Sequence, residues 1–431
     1  MKSLNRHLFE IRSGGWSVMR WKILALLEYL VVLICGIWAI PAVLLIRCLR
    51  PWRVIRFGRF PSSRIGDFVV EVCQMYAISQ QQSKMSLDLY WFKYKPICNY
   101  FLATLVRRNF HVSPWFRPLD QWNQILPGGA MHNISIPTRP GRGGSHGWLE
   151  QTQAKMSFYP QENARAKDWL RKQGWQEGDQ FVCLLVRDSS YMNHFPCQNT
   201  DPPQHEEGVL YDPKVGYGWH HLDYRDSDIA TYVPAAEWLA DQGVWVLRMG
   251  KVMAKPIPSS HHRIIDYAFH PDRSDFLDIW LFAHCDLCIG TGSGPDCISA
   301  MYGRPLLYLN FGPLRDLVSW SNAMHLFKTL VWQASGIPLN LREQYNCNEY
   351  RDRNIIKIID LTPEEILAAV HERWQRLQGT WVDTEGDLKR HNRFWEILKT
   401  CPDFRIEHRW IHPESRCGAI WLRSKGDDFL N

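Results

Sequence analysis

Nothing in the 431 residues repeats at a fixed period, and the 12 cysteines fall into no framework. The first absence argues against a solenoid or an array. The second argues against a disulfide-stapled fold and for free thiols in a reducing compartment. The single C-x-x-C, Cys285 and Cys288, has no second pair at zinc-site spacing. It straddles the apolar run Leu287 to Ile289, so both cysteines read as core residues of a buried strand. The net charge of +6 is too small to announce a nucleic-acid partner. No H-E-x-x-H is present, and no D-x-D sits in the strand–loop setting of a metal-dependent single-domain transferase, so nothing asks for a metal. The G-x-G-x-x-G fingerprint is missing too, which leaves a nicotinamide oxidoreductase as the weakest reading.

What is present begins with tryptophan, at 21 copies. It suits cores, membrane interfaces and sugar-stacking platforms alike. From Ile23 to Ile46 the chain is apolar except for Glu28, and Tyr29 to Ile46 carries no charge. A bilayer core needs roughly 20 such residues. No small-residue cleavage site follows, which argues against a removed signal peptide. Arg47, Arg50, Arg53, Arg56 and Arg59 come next, a density that places the following chain in the cytoplasm and attracts anionic lipid. The N-terminal arm is basic as well (Lys2, Arg6, Arg12, Arg20, Lys22), and Pro41 offers a break for a re-entrant hairpin with both ends cytoplasmic. Either arrangement leaves the bulk of the chain at the cytoplasmic face.

Past the anchor, short apolar runs (Val54-Ile55, Phe68 to Val72, Leu87 to Phe92) alternate with turn residues. Leu126 to Trp148, with Pro127-Gly128-Gly129 and Pro140 to Gly144, has no periodicity and reads as a long loop, either an active-site flap or packing filler. From about residue 178 strands and helices alternate. Phe181 to Val186 is a buried strand, 193–227 an irregular excursion, and Ile229 to Ala240 a helix ending at Gly243. Val244 to Leu247, Ile264-Ile265, Leu287 to Ile289 and Leu306 to Leu309 are further strands, with helices at Phe276 to Phe282 and Pro295 to Tyr302. This pattern predicts a parallel sheet covered on both faces. Thr362-Pro363-Glu364-Glu365 is a capping box that opens a later helix.

Three clusters carry the chemistry. Gly290-Thr291-Gly292-Ser293-Gly294-Pro295-Asp296 lies between a buried strand and a helix. There Gly292, Ser293 and Gly294 let backbone N–H groups approach a diphosphate, and Asp296 is set to take a ribose or sugar hydroxyl. A bare tight turn is the alternative. Arg64-Ile65-Gly66-Asp67 follows the first strand past the anchor and puts Asp67 at a sheet rim, as a base for an acceptor hydroxyl or as a plain helix cap. The third cluster gathers strand-end groups. Arg187, Asp188 and Tyr191 follow one strand, Arg225 precedes the next helix, and Arg248 and Lys251 end the next strand. Strand ends of a parallel sheet face the ligand crevice, where the arginines suit phosphate, unless they form ordinary Arg–Asp pairs. His220 and His221 read as surface residues.

These motifs carry a resemblance. Arg187-Asp188-Ser189-Ser190-Tyr191, Tyr224 to Asp228, Val246 to Lys251, Ile265-Asp266-Tyr267 and Ser274 to Asp278 resemble a family of bacterial glycosyltransferases associated with surface-carbohydrate loci. More distantly, Arg64 to Val70 and Ser293-Gly294 through Gly303-Arg304-Pro305 are similar to motifs of the heptosyltransferases. The acid before the latter motif is Gly292 here, and its histidine is Cys297. The resemblance implies an α/β fold with two Rossmann-like domains facing across a cleft (GT-B type), which here follow the N-terminal membrane helix expected from the apolar run. It also implies inverting glycosyl transfer with Asp67 as base, and the missing D-x-D makes the expected transfer metal-independent.

The expected organisation is a membrane anchor over 1–52, an acceptor-side α/β domain over 53–175 containing the loop 126–148, a nucleotide-sugar-binding Rossmann-like domain over 176–400, and a tail over 401–431. The expected partners are a nucleotide-sugar donor, a lipid-linked or glycan acceptor and anionic membrane lipids, with no nucleic acid and no cofactor beyond the donor substrate. The expected location is a bacterial inner membrane, catalytic domains in the cytoplasm. A different group transferase on polysaccharide, or a non-catalytic saccharide-binding scaffold, are the alternatives.

Overall fold

The computed structural model describes residues 30–81, 86–93, 96–134, 155–194, 223–348, 352 and 354–431, with 19, 23, 26 and 27. Most of the basic N-terminal arm, the greater part of the loop 126–148, and His220 and His221 lie outside the described residues.

A helix runs from Leu30 to Cys48, 19 residues of mean hydropathy 2.5, long and apolar enough to cross a membrane. It continues through Pro41, so the hairpin expected as one option is not formed. Proline removes a single N–H from the ladder, and this ring sits on the exposed side. Three strands follow: β1 (Val54–Phe60), β2 (Ser86–Phe92) and β3 (His111–Val112). They form a parallel sheet in that order, with β1 and β2 paired along their whole length. The helix Ile65–Gln81 connects β1 to β2. Its apolar run Phe68–Val72 lies on this helix. Phe68, Val69, Val70 and Val72 are buried, and this tertiary packing overrides the β preference of the valines.

The larger half holds β4 (Phe181–Leu185), β5 (Trp245–Arg248), β6 (Ile264–Ile265), β7 (Leu287–Gly290), β8 (Leu306–Phe311) and β9 (Ala323–Phe327). A small antiparallel pair, β10 (Thr329–Trp332) and β11 (Ile356–Ile359), stands beside them. β12 (Arg416–Cys417) adds a final strand next to β9. The seven-stranded sheet runs β12-β9-β8-β7-β4-β5-β6. Every pair in it is parallel. Counted from β4, six of these strands read 3-2-1-4-5-6, the doubly wound order, and its direction reverses between β4 and β7. All residues of β4, β7 and β8 are buried, as expected where helices cover both faces of a parallel sheet. Residues 401–431, expected as a tail, contribute β12 and the helix Ala419–Lys425, with Trp421 and Leu422 in the core.

One core runs through both halves, from Phe60 and Phe68 to Trp421 and Leu430. Phe101 of the helix Tyr100–Asn109 meets Phe276 of the helix Asp275–His284 edge-on at 4.9 Å. Beside them Asn99 Nδ2 donates to the Asp275 carbonyl at 2.9 Å, and the Tyr100 N–H to the Asp275 carboxylate at 2.7 Å. Two of the five arginines expected to meet lipid are committed to protein instead. Arg56 forms a bidentate pair with Asp88 at 2.7 Å, and Arg47 binds Asn123 and the carbonyls of Leu126 and Pro127. Arg50, Arg53 and Arg59 are exposed.

Candidate functional site

A cavity of about 490 Å³ opens where the strand order reverses, a size suited to a small-molecule ligand. One wall is the start of the helix Ile65–Gln81, with Arg64, Ile65, Gly66 and Asp67. The other wall comes from the ends of β4, β5 and β7 and from the segment before Ile229, with Arg187, Asp188, Tyr191, Arg225, Lys251, Gly292, Ser293, Gly294 and Asp296. Ten of the eleven expected site residues thus meet in one space.

Arg248 is the exception. It sits inside the β4–β5 ladder opposite Leu184, only 1% exposed, and does not line the cavity. Its guanidinium is 3.5 Å from Asp266 Oδ1, donates to the Lys255 carbonyl at 3.2 Å, and lies over the Phe269 ring. The corrected role for Arg248 is to hold the loop after β5.

On the first wall the Asp67 carboxyl makes no hydrogen bond among the described residues. Burial raises its pKa, and the charge of Arg64 opposes the shift. One turn on, Glu71 is pushed up to about 7, mainly by burial and then by the Asp67 charge. The two walls touch at a pair of glycines. A Cβ on Gly66 would lie 2.9 Å from Gly294 Cα, closer than packed atoms allow, so this seam demands glycine.

On the second wall most groups are already engaged. Asp188 accepts from the Ser190 N–H and the Ala254 N–H, both at 2.9 Å, and so ties the ends of β4 and β5 together. Arg187 Nε stands 3.5 Å from Asp226 Oδ1, and burial lowers its pKa, with Arg225 adding to the shift. Arg225 donates to the Gly292 carbonyl, while its Nε is buried with no partner among the described residues. Lys251 Nζ donates to the Cys98 carbonyl at 3.0 Å and lies 3.6 Å from Asp275 Oδ1.

Asp296 is 1% exposed and accepts from the Ser293 N–H at 2.6 Å. The N–H that the sequence offers to a phosphate is therefore capped from within. Burial pushes Asp296 up to about 7, with the Ser293 N–H and Arg225 opposing. Next to it, burial holds the Cys297 thiol well above its ordinary value, so at neutral pH it is an uncharged group.

Sequence reasoning left out several polar lining residues as site members, among them Arg64, Asn99, Asp278 and Asp316. Asp278 is pushed up to about 6 by burial, against the opposing charge of Arg273, and accepts from the Tyr267 hydroxyl at 2.9 Å. Its signal lay in the Ser274 to Asp278 motif, whose Ser274 caps the helix carrying Asp278. Among the described residues no three His, Cys, Asp or Glu side chains converge as metal ligands.

No family model and no curated protein matches the chain. Several solved structures resemble the chain at low identity. A glycosyl transferase family 9 protein from Veillonella parvula is 11% identical, over 63% of this chain and 85% of its own, with a TM-score of 0.37. The Escherichia coli ADP-heptose LPS heptosyltransferase II is 13% identical, over 75% and 99%, at 0.40. An iron-containing dodecameric glycosyltransferase from enterotoxigenic E. coli is 12% identical, over 76% and 77%, at 0.36.

What the cavity can do follows from its groups. It brings a carboxyl without a hydrogen-bond partner among the described residues on one wall together with cationic side chains on the other. That arrangement suits accepting a proton on one side of a bound molecule while stabilising negative charge on the other.

Proposed function

We propose that the chain is a glycosyltransferase that moves a sugar from a nucleoside-diphosphate donor to a glycan or lipid-linked acceptor. The observation that carries this reading is the shared cavity: Asp67 from the N-terminal half lines the same space as Arg187, Arg225 and Lys251. The motif resemblance around Arg64 to Val70 points the same way. The acceptor hydroxyl gives its proton to Asp67 as its oxygen attacks the sugar C1. The bond from C1 to the diphosphate breaks, with inversion, and the departing charge rests against Arg187 and Arg225. A carboxyl with a raised pKa is the better proton acceptor. Because Asp296 already fills the Ser293 N–H, the diphosphate in this reading faces the arginines rather than the glycine loop. The apolar helix Leu30–Cys48 keeps the enzyme at a membrane, where a lipid-linked acceptor resides.

A non-catalytic saccharide-binding role draws support from the same loop, since the Ser293 N–H and the Gly292 carbonyl both have partners within the chain. A thermal-shift panel with UDP, GDP, CDP, ADP and NAD on the detergent-purified protein separates the two. A ligand at about 100 times its dissociation constant adds about 2.7 kcal/mol of stability. The transferase reading expects one nucleoside diphosphate to raise the midpoint and Arg187→Ala to remove the effect. If no nucleotide shifts the midpoint, the donor site is lost and the binding role takes its place.

A further inference from the structure

We propose that the helix Leu30–Cys48 lies along the membrane surface with one face in lipid and does not cross the bilayer, so that both chain termini are on the same side. This rests on the membrane attachment above and not on the transfer chemistry, so the nucleotide panel and the test below fail separately.

A spanning helix is surrounded by lipid along its length. This helix is pressed against the globular half along most of it. Val32, Gly36, Ala39, Val43 and Ile46 recur at three- and four-residue spacing and form one stripe. Ala39 and Val43 are fully buried and share a small core with Phe57 of β1 and Leu119 of the helix Phe116–Ile125. Trp122 lies over Gly36, where a Cβ would come within 2.6 Å of the ring, and its Nε1 donates to the Val32 carbonyl at 2.9 Å. Trp38 meets Trp115 edge-on at 6.1 Å. At the far end Arg47 closes on the C-terminus of the helix Phe116–Ile125, where a cation complements the helix dipole. The contacts run from Val32 to Arg47, about 22 Å at 1.5 Å per residue.

Depth decides between the two orientations. Stood upright with Arg47 at the headgroups, the helix would carry Trp38 about 14 Å inward, near the centre of a ~30 Å core. Trp115 and the exposed loop residue Pro114 would go with it. Exposed irregular backbone is not tolerated in hydrocarbon, because water is absent there to satisfy it. Laid flat, the same helix puts only its outer face into lipid: Leu30, Leu33, Ile34, Ile37, Leu44 and Leu45 are all exposed, Ile37 by 80%. Trp52, also exposed, sits at the end of this face with Arg50 and Arg53, and suits the aromatic and anionic layer of the headgroups. Protein covers the face that an isolated interfacial helix would fill with charge.

The test uses the full chain with a protease-cleavable tag at each terminus, expressed in bacteria and recovered as sealed inner-membrane vesicles. The expected result is that both tags are cut, or both protected, in the same vesicle orientation without detergent. A C-terminal tag cut while the N-terminal tag stays protected until detergent is added overturns the proposal in favour of a span. A chain that does not sediment with the vesicles overturns it together with the membrane reading. As a second measurement, Ile37→Arg is expected to move most of the chain from pellet to supernatant without lowering its melting midpoint. An unchanged pellet fraction means that the outer face is not the lipid contact, and the proposal falls.

Discussion

Asp67, on the N-terminal wall of the cavity, has no hydrogen-bond partner among the described residues, whereas on the C-terminal wall Asp188, Asp296, Arg225 and Lys251 are bonded within the protein. The first wall is one helix start carrying one exposed arginine and one carboxyl. The second is a set of strand ends and loops that hold one another in place. The difference separates reactivity from positioning. A group that must exchange a proton is best left without a fixed partner, while groups that must hold a charged ligand are best fixed beforehand.

The sharpest way to break this contrast is Asp67→Asn. A positioned base contributes typically 10²- to 10⁴-fold, so transfer of labelled sugar to a membrane extract is expected to fall by about that factor. The midpoint shift given by the stabilising nucleotide should survive unchanged. Loss of nucleotide binding together with turnover would instead make Asp67 part of the donor wall.

Next in size comes the pair Arg187→Ala and Arg248→Ala, which splits the second wall from the scaffold behind it. Hydrogen bonds to charged groups are worth about 1.5–3 kcal/mol, so removing Arg187 is expected to weaken nucleotide binding roughly 10- to 100-fold. Arg248→Ala should leave that affinity nearly intact and lower the melting midpoint of the unliganded protein, because Asp266 loses its cationic neighbour and the Lys255 carbonyl its donor. Equal losses of affinity from both variants would return Arg248 to the site.

A smaller effect is expected at the seam. Gly66→Ala drives a methyl into the Gly294 backbone, and overpacking of this kind costs about 1–3 kcal/mol. A midpoint lowered by a few degrees, read by calorimetry, fits two walls in fixed contact. No change would mean that they part easily.

The two arginines also mark where sequence reading stops. Both follow apolar runs that end in Arg, and the alternation of strands and helices from residue 178 onward was legible in those runs. Register decides their fates: Arg248 pairs with Leu184, still within the ladder, while Arg187 lies three residues beyond that pair. No local pattern carries that offset. Phe68 to Val72 was legible as an apolar run, with Asp67 before it as base or as cap of the next helix; packing against the helix Asp296–Met301 of the larger half fixes that run as helical. β12 is two residues long and has no periodicity to read. Ser293 was legible as a backbone donor. That Asp296 reaches back to cap it depends on a side-chain direction that spacing leaves open.

Asp296 offers the finest test, because it asks whether the second wall is closed by a charge or by a neutral acid. Its folded pKa of about 7 lies above the unfolded carboxylate value of about 3.9. Between those values the folded protein holds more protons than the unfolded chain, so this group's contribution to stability falls as pH rises through that window and is level above it. Asn keeps an oxygen for the Ser293 N–H and does not titrate. The midpoint of Asp296→Asn relative to the parent should therefore climb from pH 4 to pH 7 and then stay constant, with Asp278 and Glu71 shifting both proteins alike. A constant offset across that range would show that Asp296 is charged throughout. The same comparison bears on the donor. Above pH 7 the parent's ionised Asp296 stands beside the loop and repels a diphosphate, so nucleotide affinity should drop there in the parent and hold in the variant.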